Sequence, residues 1–257
     1  MRRRDLLRGV ATLMASSLVA AEPSGVQSPR PVRLILCVLG PANWLTAAAR
    51  CVRDFGRGFR FDEEFSAEGW DDRMPASFGV SWNQIPPTFD EDDLTAIIDH
   101  RSLAYALSEP MSPPNSLTAA ADAVRLVDRL IKVGAIACKC ETGGVAHGVR
   151  HWRRFAEGLN NPSHSARNRI LYRALVRRPL DDEGVLYSAG MHSLGLPDID
   201  YRGRRDLLAA TAMIDRVGLA ALAGEAIELR HRPCTHYSPD ALLYNPYGNW
   251  LIDETGQ

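Results

Sequence analysis

Cys138, Cys140, Glu141, His147 and His151 lie close together and offer the side-chain types that a transition metal favours. His147 and His151 stand four apart, a spacing that can set two imidazoles on one helix face. Glu141 would add a carboxylate from a strand end, and either thiolate a soft ligand. Such a set would serve a metal-dependent hydrolase or a metal-binding protein. Gly148 interrupts the run between the two histidines, so capping and packing roles explain them as well. The same stretch carries Gly143, Gly144 and Gly148 between a strand and a helix, where free backbone N–H groups could hold a phosphate or carboxylate. It matches neither the P-loop nor the dinucleotide fingerprint, and a tight turn needing positive φ also accounts for the glycines.

The segment Gly190-Met-His-Ser-Leu-Gly195 invites comparison with a nucleophile elbow, but glycine to serine is three steps rather than two. His192 and Ser193 are adjacent, and neighbours rarely aim side chains at each other, so nucleophilic catalysis is not expected there. The acidic run 90–93 precedes a short helix and complements its dipole, while 181–184 reads as a turn. Trp70, Trp82, Trp152, Trp250, Tyr244 and Tyr247 could line a partner-binding surface, although each singly is also explained by packing. With no catalytic constellation assembled, the favoured expectation is an exported, non-catalytic binding or interaction protein. An immunity-type protein that neutralises a toxin is one example. The metal reading through Glu141, His147 and His151 is the alternative, and no cofactor is assigned.

These residues need a scaffold. An apolar run at 32–39 between Pro31 and Gly40-Pro41 reads as a buried strand, followed by a helix over 43–55. Strands are expected at 59–65, 77–82, 102–108, 135–140, 170–176 and 185–188, with a last one at 227–231. Helices are expected near 94–98, at 116–133, at 149–158 and at 205–223. The order predicts an α+β layered domain with a mixed, mainly antiparallel sheet and helices packed on it. Its first half is close to a split βαβ unit with one extra strand, and the second half repeats that order loosely, as duplication would.

The chain also carries an address. Arg3 and Arg4 precede a polar residue, two leucines and Arg8, then a short apolar stretch ending in Val19-Ala20-Ala21. This resembles a twin-arginine export signal over 1–21, with a Pro/Ser-rich spacer over 22–31 and one globular domain over 32–257. The implied partner is the twin-arginine translocation machinery and the implied location periplasmic or secreted. The stretch is too short for a permanent span, so no stable transmembrane segment is expected in the mature form. The 257-residue chain is 46% hydrophobic and 24% charged, enough for a core without staples. Its formal charge of −1 becomes about −4 without the leader's four arginines and Asp5, which argues against nucleic acid as a partner. Five cysteines, an odd count without a spacing framework, suggest buried thiols rather than disulfides.

Three separated blocks, Gly134-Ala-Ile-Ala-Cys-Lys-Cys-Glu-Thr-Gly-Gly-Val-Ala-His147, Ala189-Gly-Met-His-Ser-Leu-Gly-Leu-Pro-Asp-Ile199 and Leu243-Tyr-Asn-Pro-Tyr-Gly-Asn-Trp250, occur in this order. Together they resemble the bacterial domain-of-unknown-function family forty-two sixty-one. The resemblance implies a shared domain over most of the chain after residue 32, but no particular activity, ligand or catalytic residue. Members of that family look mostly cytoplasmic, and the leader here departs from that pattern.

Overall fold

A computed structural model describes residues 31–81 and 89–255. The export signal with Arg3 and Arg4, the spacer up to residue 30, and Trp82 lie outside the described residues.

Five strands form the first sheet. They are β1 (Ile35–Gly40), β2 (Phe59–Glu68), β3 (Ser102–Ser108), β4 (Ala137–Cys140) and β5 (Val145–Gly148), in the order β2-β3-β1-β4-β5. Every pairing in it is antiparallel, and β3 lies between β1 and β2, which therefore run parallel on either side of it as in a split βαβ unit, with β5 added beyond β4. The sheet is covered on both sides, which is why β1 reads as an unbroken apolar run. Leu36 and Val38 enter the larger core, while Cys37 and Leu39 face the smaller one.

The larger core is closed by α1 (Leu45–Phe55), α4 (Pro113–Lys132), α5 (Val149–Gly158) and α6 (His164–Leu175). Helix α4 forms because Ala120, Val124, Val127 and Ile131 fall on one buried face. Ser112 and Asn115 make its capping box, with prolines in the first turn. The smaller core lies under α2 (Met74–Gly79) and α3 (Glu91–Ile98), through Met74, Phe78 and Ile97.

A second sheet has the order β6-β7-β9-β8, from β6 (Leu186–Tyr187), β7 (Asp198–Arg202), β8 (Arg230–Arg232) and β9 (Asn249–Asp253). Strands β7 and β9 are parallel and the other pairs antiparallel. Helix α7 (Leu207–Leu222) packs on one face against Ile199, Tyr201 and Ile252. The whole is an α+β layered fold with mainly antiparallel sheets. The two sheets differ in strand order and in orientation, so they do not repeat one unit.

Several local expectations are corrected. Residues 77–79 belong to helix α2, which has Pro75 in its first turn, where a fixed φ favours helix. Residues 170–175 lie in α6, where the Ser163 hydroxyl accepts the Ala166 N–H at 3.4 Å and caps the start. There Leu171, Tyr172, Ala174 and Leu175 are buried with helical spacing, and tertiary packing overrides the strand-like composition. The glycine-rich segment is not all loop, since β5 begins at Val145. The chain also has two strands, β7 and β9, where none is expected.

Candidate functional site

The register of the first sheet sets its chemistry. Asp62 pairs with Tyr105, Tyr105 with Cys37 and Cys37 with Lys139, so four polar side chains form one row across four strands. Alternation turns this row toward α2 and α3 rather than toward the larger core. Beside it, Leu103 and Leu107 of β3 and Ile35 of β1 share the same face. With Phe65, Met74 and Leu242 they line a partly open chamber of about 370 Å3.

The polar groups around this chamber are matched internally. The Lys139 ammonium, on a residue 8% exposed, donates to Ser77 Oγ at 2.7 Å and pairs with Glu141 Oε2 at 2.8 Å. Arg73 pairs with Asp71. Asp62 Oδ1 accepts the N–H groups of Glu64 and Phe65 at 3.0 and 3.2 Å. Burial pushes the Tyr105 hydroxyl and the Cys37 thiol well above their ordinary values, so both stay neutral.

Glu141, His147 and His151 are not brought together. Lys139 and Glu141 look toward α2, whereas Cys138 and Cys140 enter the larger core, and His147 pairs with Cys138 on that opposite side. His147 belongs to β5, before the helix that carries His151 begins at Val149, so the spacing of four does not stack them. Its Nε2 lies 3.2 Å from the Ala174 carbonyl, and its ring is flanked edge-on by Trp152 and Phe155. Burial pushes its pKa down to about 3, and burial lifts the Cys140 thiol to about 11. Among the described residues, no group of three or more His, Cys, Asp or Glu could hold a metal.

The anion expectation meets a similar obstacle. The N-terminus of α5, preceded by Gly148, is taken by the chain's own Asp93, whose carboxylate accepts the Val149 N–H. The Gly144 N–H donates to Glu141 O, and the Ala146 N–H to Ser81 Oγ. Gly143 has no positive φ; it is there because the Leu175 carbonyl oxygen leaves no room for a Cβ. Of the six aromatics expected at a partner surface, Trp70 is 55% exposed, Trp152 is buried, and Trp250, Tyr244 and Tyr247 are intermediate.

A second polar centre, which sequence reasoning passed over, forms where the three blocks quoted above converge. Gly143 faces Gly190, Gly144 lies against Leu243 and the Arg177 guanidinium, and Asn245 reaches Leu196 and Asp198. On β7, Ile199 and Tyr201 face α7, so Asp198 and Asp200 share the other face. Asp198 accepts from Ser188 Oγ at 3.2 Å, the Met191 N–H at 3.1 Å and Asn245 Nδ2 at 2.8 Å. Asp200 accepts from Asn249 Nδ2 at 2.6 Å and Arg232 at 3.1 Å, and lies 2.8 Å from His236 Nε2. His236 stacks flat on Tyr187 with centroids 3.8 Å apart. The signal available in the sequence was the alternation of Asp198 and Asp200 with Ile199 and Tyr201.

No protein-family model, no curated protein and no solved structure matches this chain.

Proposed function

We propose that this chain is a binding protein that takes a small, uncharged and largely apolar molecule into the chamber over its five-stranded sheet. The observation that carries this reading is an apolar chamber of about 370 Å3 at which Arg73 and Glu141 are already ion-paired and Asp62 accepts backbone N–H groups. Concave, mainly apolar sites with a few convergent polar groups are the usual form of small-molecule pockets. A ligand with a net charge would lose its hydration and find Arg73 and Glu141 already engaged, whereas an apolar body gains about 25 cal/mol per Å2 removed from water. Ser77, Tyr105 and Glu141 supply hydrogen-bonding atoms for one polar group on such a ligand.

The test is a fluorescence titration with an uncharged naphthalene dye whose emission reports an apolar environment. The wild type should bind one equivalent saturably, and Leu103→Trp, which fills the chamber, should weaken binding at least tenfold. Saturable binding that is the same in both proteins would remove the reading.

A protein partner is a second reading, favoured by one observation. Trp70 and Ile98 are 55% and 56% exposed and adjoin, the indole N–H donating to the Ile98 carbonyl at 3.0 Å. Exposed aromatic patches of this kind anchor interfaces. Export through Arg3 and Arg4 would place that surface in the periplasm, where an immunity-type partner would be met. Among the described residues no helix is long and apolar enough to cross a membrane. A pull-down from periplasmic extract should yield a stoichiometric partner with the wild type and none with Trp70→Ala. Equal recovery with both would dismiss this reading.

A further inference from the structure

Lys139 is buried on a strand whose neighbouring side chains, Cys138 and Cys140, enter the larger core. A charge at that depth costs more than an apolar side chain of the same size would. What the ammonium does there is fix two oxygens. It donates to Ser77 Oγ at 2.7 Å and pairs with Glu141 Oε2 at 2.8 Å. Ser77 comes from α2 and Glu141 from just past β4, and both residues line the sheet-face chamber. Held by one ammonium, the two oxygens stand no more than two hydrogen-bond lengths apart.

Counting protons shows what each group has left over. An ammonium can only donate, so Ser77 accepts from it and keeps its own O–H, which meets no acceptor among the described residues. The Glu141 carboxylate can only accept. Its side chain is 16% exposed, and its Oε1 receives no hydrogen bond from the described residues. The pair thus offers the chamber one donor and one ionic acceptor side by side. Elsewhere on the wall the Tyr105 hydroxyl is hydrogen-bonded with the Cys37 thiol, and Arg73 Nε and Nη2 are taken by Asp71.

We propose that the ligand of this chamber is an apolar alcohol or phenol, whose hydroxyl donates to Glu141 and accepts from Ser77, with Lys139 positioning both. The proposal rests on the chamber reading above and goes beyond it by naming the polar group the ligand carries. A hydroxyl donates and accepts through one oxygen, so it bridges two groups at this separation. An ether or a ketone accepts from Ser77 but leaves the carboxylate stripped of water and without a donor, the mismatch that sites built around a hydroxyl reject most strongly. A ligand ammonium would stand against Lys139, and a ligand carboxylate against Glu141.

The experiment displaces the uncharged naphthalene dye from the purified full chain with 4-propylphenol and with its methyl ether, 4-propylanisole. The ether is the more apolar of the two, so burial alone favours it. The phenol should still compete at least about tenfold more tightly, the low end for a hydrogen bond to a charged group. In Glu141→Gln, which keeps the shape and removes the charge, that ratio should fall below about threefold, the scale of a weak neutral hydrogen bond. In Ser77→Ala both compounds should weaken and the ratio should persist, because both accept from Ser77. Equal competition by the two compounds, or tighter competition by the ether, overturns the proposal while saturable dye binding leaves the chamber reading standing. A wild-type ratio retained in Glu141→Gln also overturns it, and should that variant not fold, the wild-type ratio decides. Dye that does not bind the wild type removes the chamber reading itself, and this proposal with it.

Discussion

The Asp93 carboxylate occupies the space that a Cβ on Gly148 would need, and it accepts the N–H of Val149 at the first turn of α5. The same carboxylate closes the capping box of α3 with Asp90, so one side chain ties two helices to the edge of the first sheet. Gly148→Ala should therefore destabilise the fold by about 1–3 kcal/mol through overpacking. Urea unfolding checks this, and an unchanged midpoint would contradict it.

Elements whose deciding contacts are local could be read from the sequence, and those decided by distant packing could not. Helix α4 was legible because its apolar face repeats over five turns and its cap is local. Strand β1 was legible because burial on both faces leaves an unbroken apolar run. Helix α6 was not, since Ile170, Leu171 and Tyr172 suit a strand, and only packing against α5 and α4 decides the matter. The chamber was half legible. Leu103, Tyr105 and Leu107 visibly alternate, but the Asp62–Tyr105–Cys37–Lys139 row depends on register between distant strands. The cluster of Glu141, His147 and His151 misled for the opposite reason. Closeness in sequence placed Glu141 and His147 on opposite faces of a sheet, which a helical spacing rule does not foresee.

His147 should make stability sensitive to acid. Burial lowers its folded pKa to about 3, against an unfolded value of about 6.5. Between these values the unfolded chain binds the extra proton, so stability is full above about pH 6.5 and falls as pH drops toward 3. His147→Phe should show a smaller loss than wild type between pH 7 and pH 5 in urea titrations. Parallel losses in the two proteins would count against this assignment.

Asp200 works in the opposite direction. Burial raises its carboxyl, but hydrogen bonds from His236 and Asn249 and the charges of His236 and Arg232 outweigh that and hold it below the usual carboxylate range. Its contribution is present above the unfolded value of about 3.9 and is lost as pH falls through the lower folded value. At pH 7, Asp200→Asn should cost about 3 kcal/mol, because the Arg232 guanidinium is left partly buried without its counter-charge. A chemical-denaturation difference under about 0.5 kcal/mol, within the range of ordinary surface changes, would be inconsistent with this network.

The five described cysteines are all free thiols, and Cys37, Cys138 and Cys140 are buried. Burial raises all three thiols, so little thiolate is present to react near neutral pH. Iodoacetamide on the native protein should label Cys234 and Cys51 first, and the other three only after denaturation. Peptide mass spectrometry reads the order. Early labelling of Cys138 or Cys140 would mean that the helix-side core is open.

Methyl-resolved NMR during titration with the uncharged naphthalene dye reads ligand entry into the chamber between the five-stranded sheet and α2 residue by residue. Binding there should give saturating shifts at the methyls of Met74, Leu103 and Leu107, with those of Ile199 on β7 and Ile214 on α7 unmoved. Shifts confined to Ile98 beside Trp70, or none at any methyl at saturating dye, would contradict it.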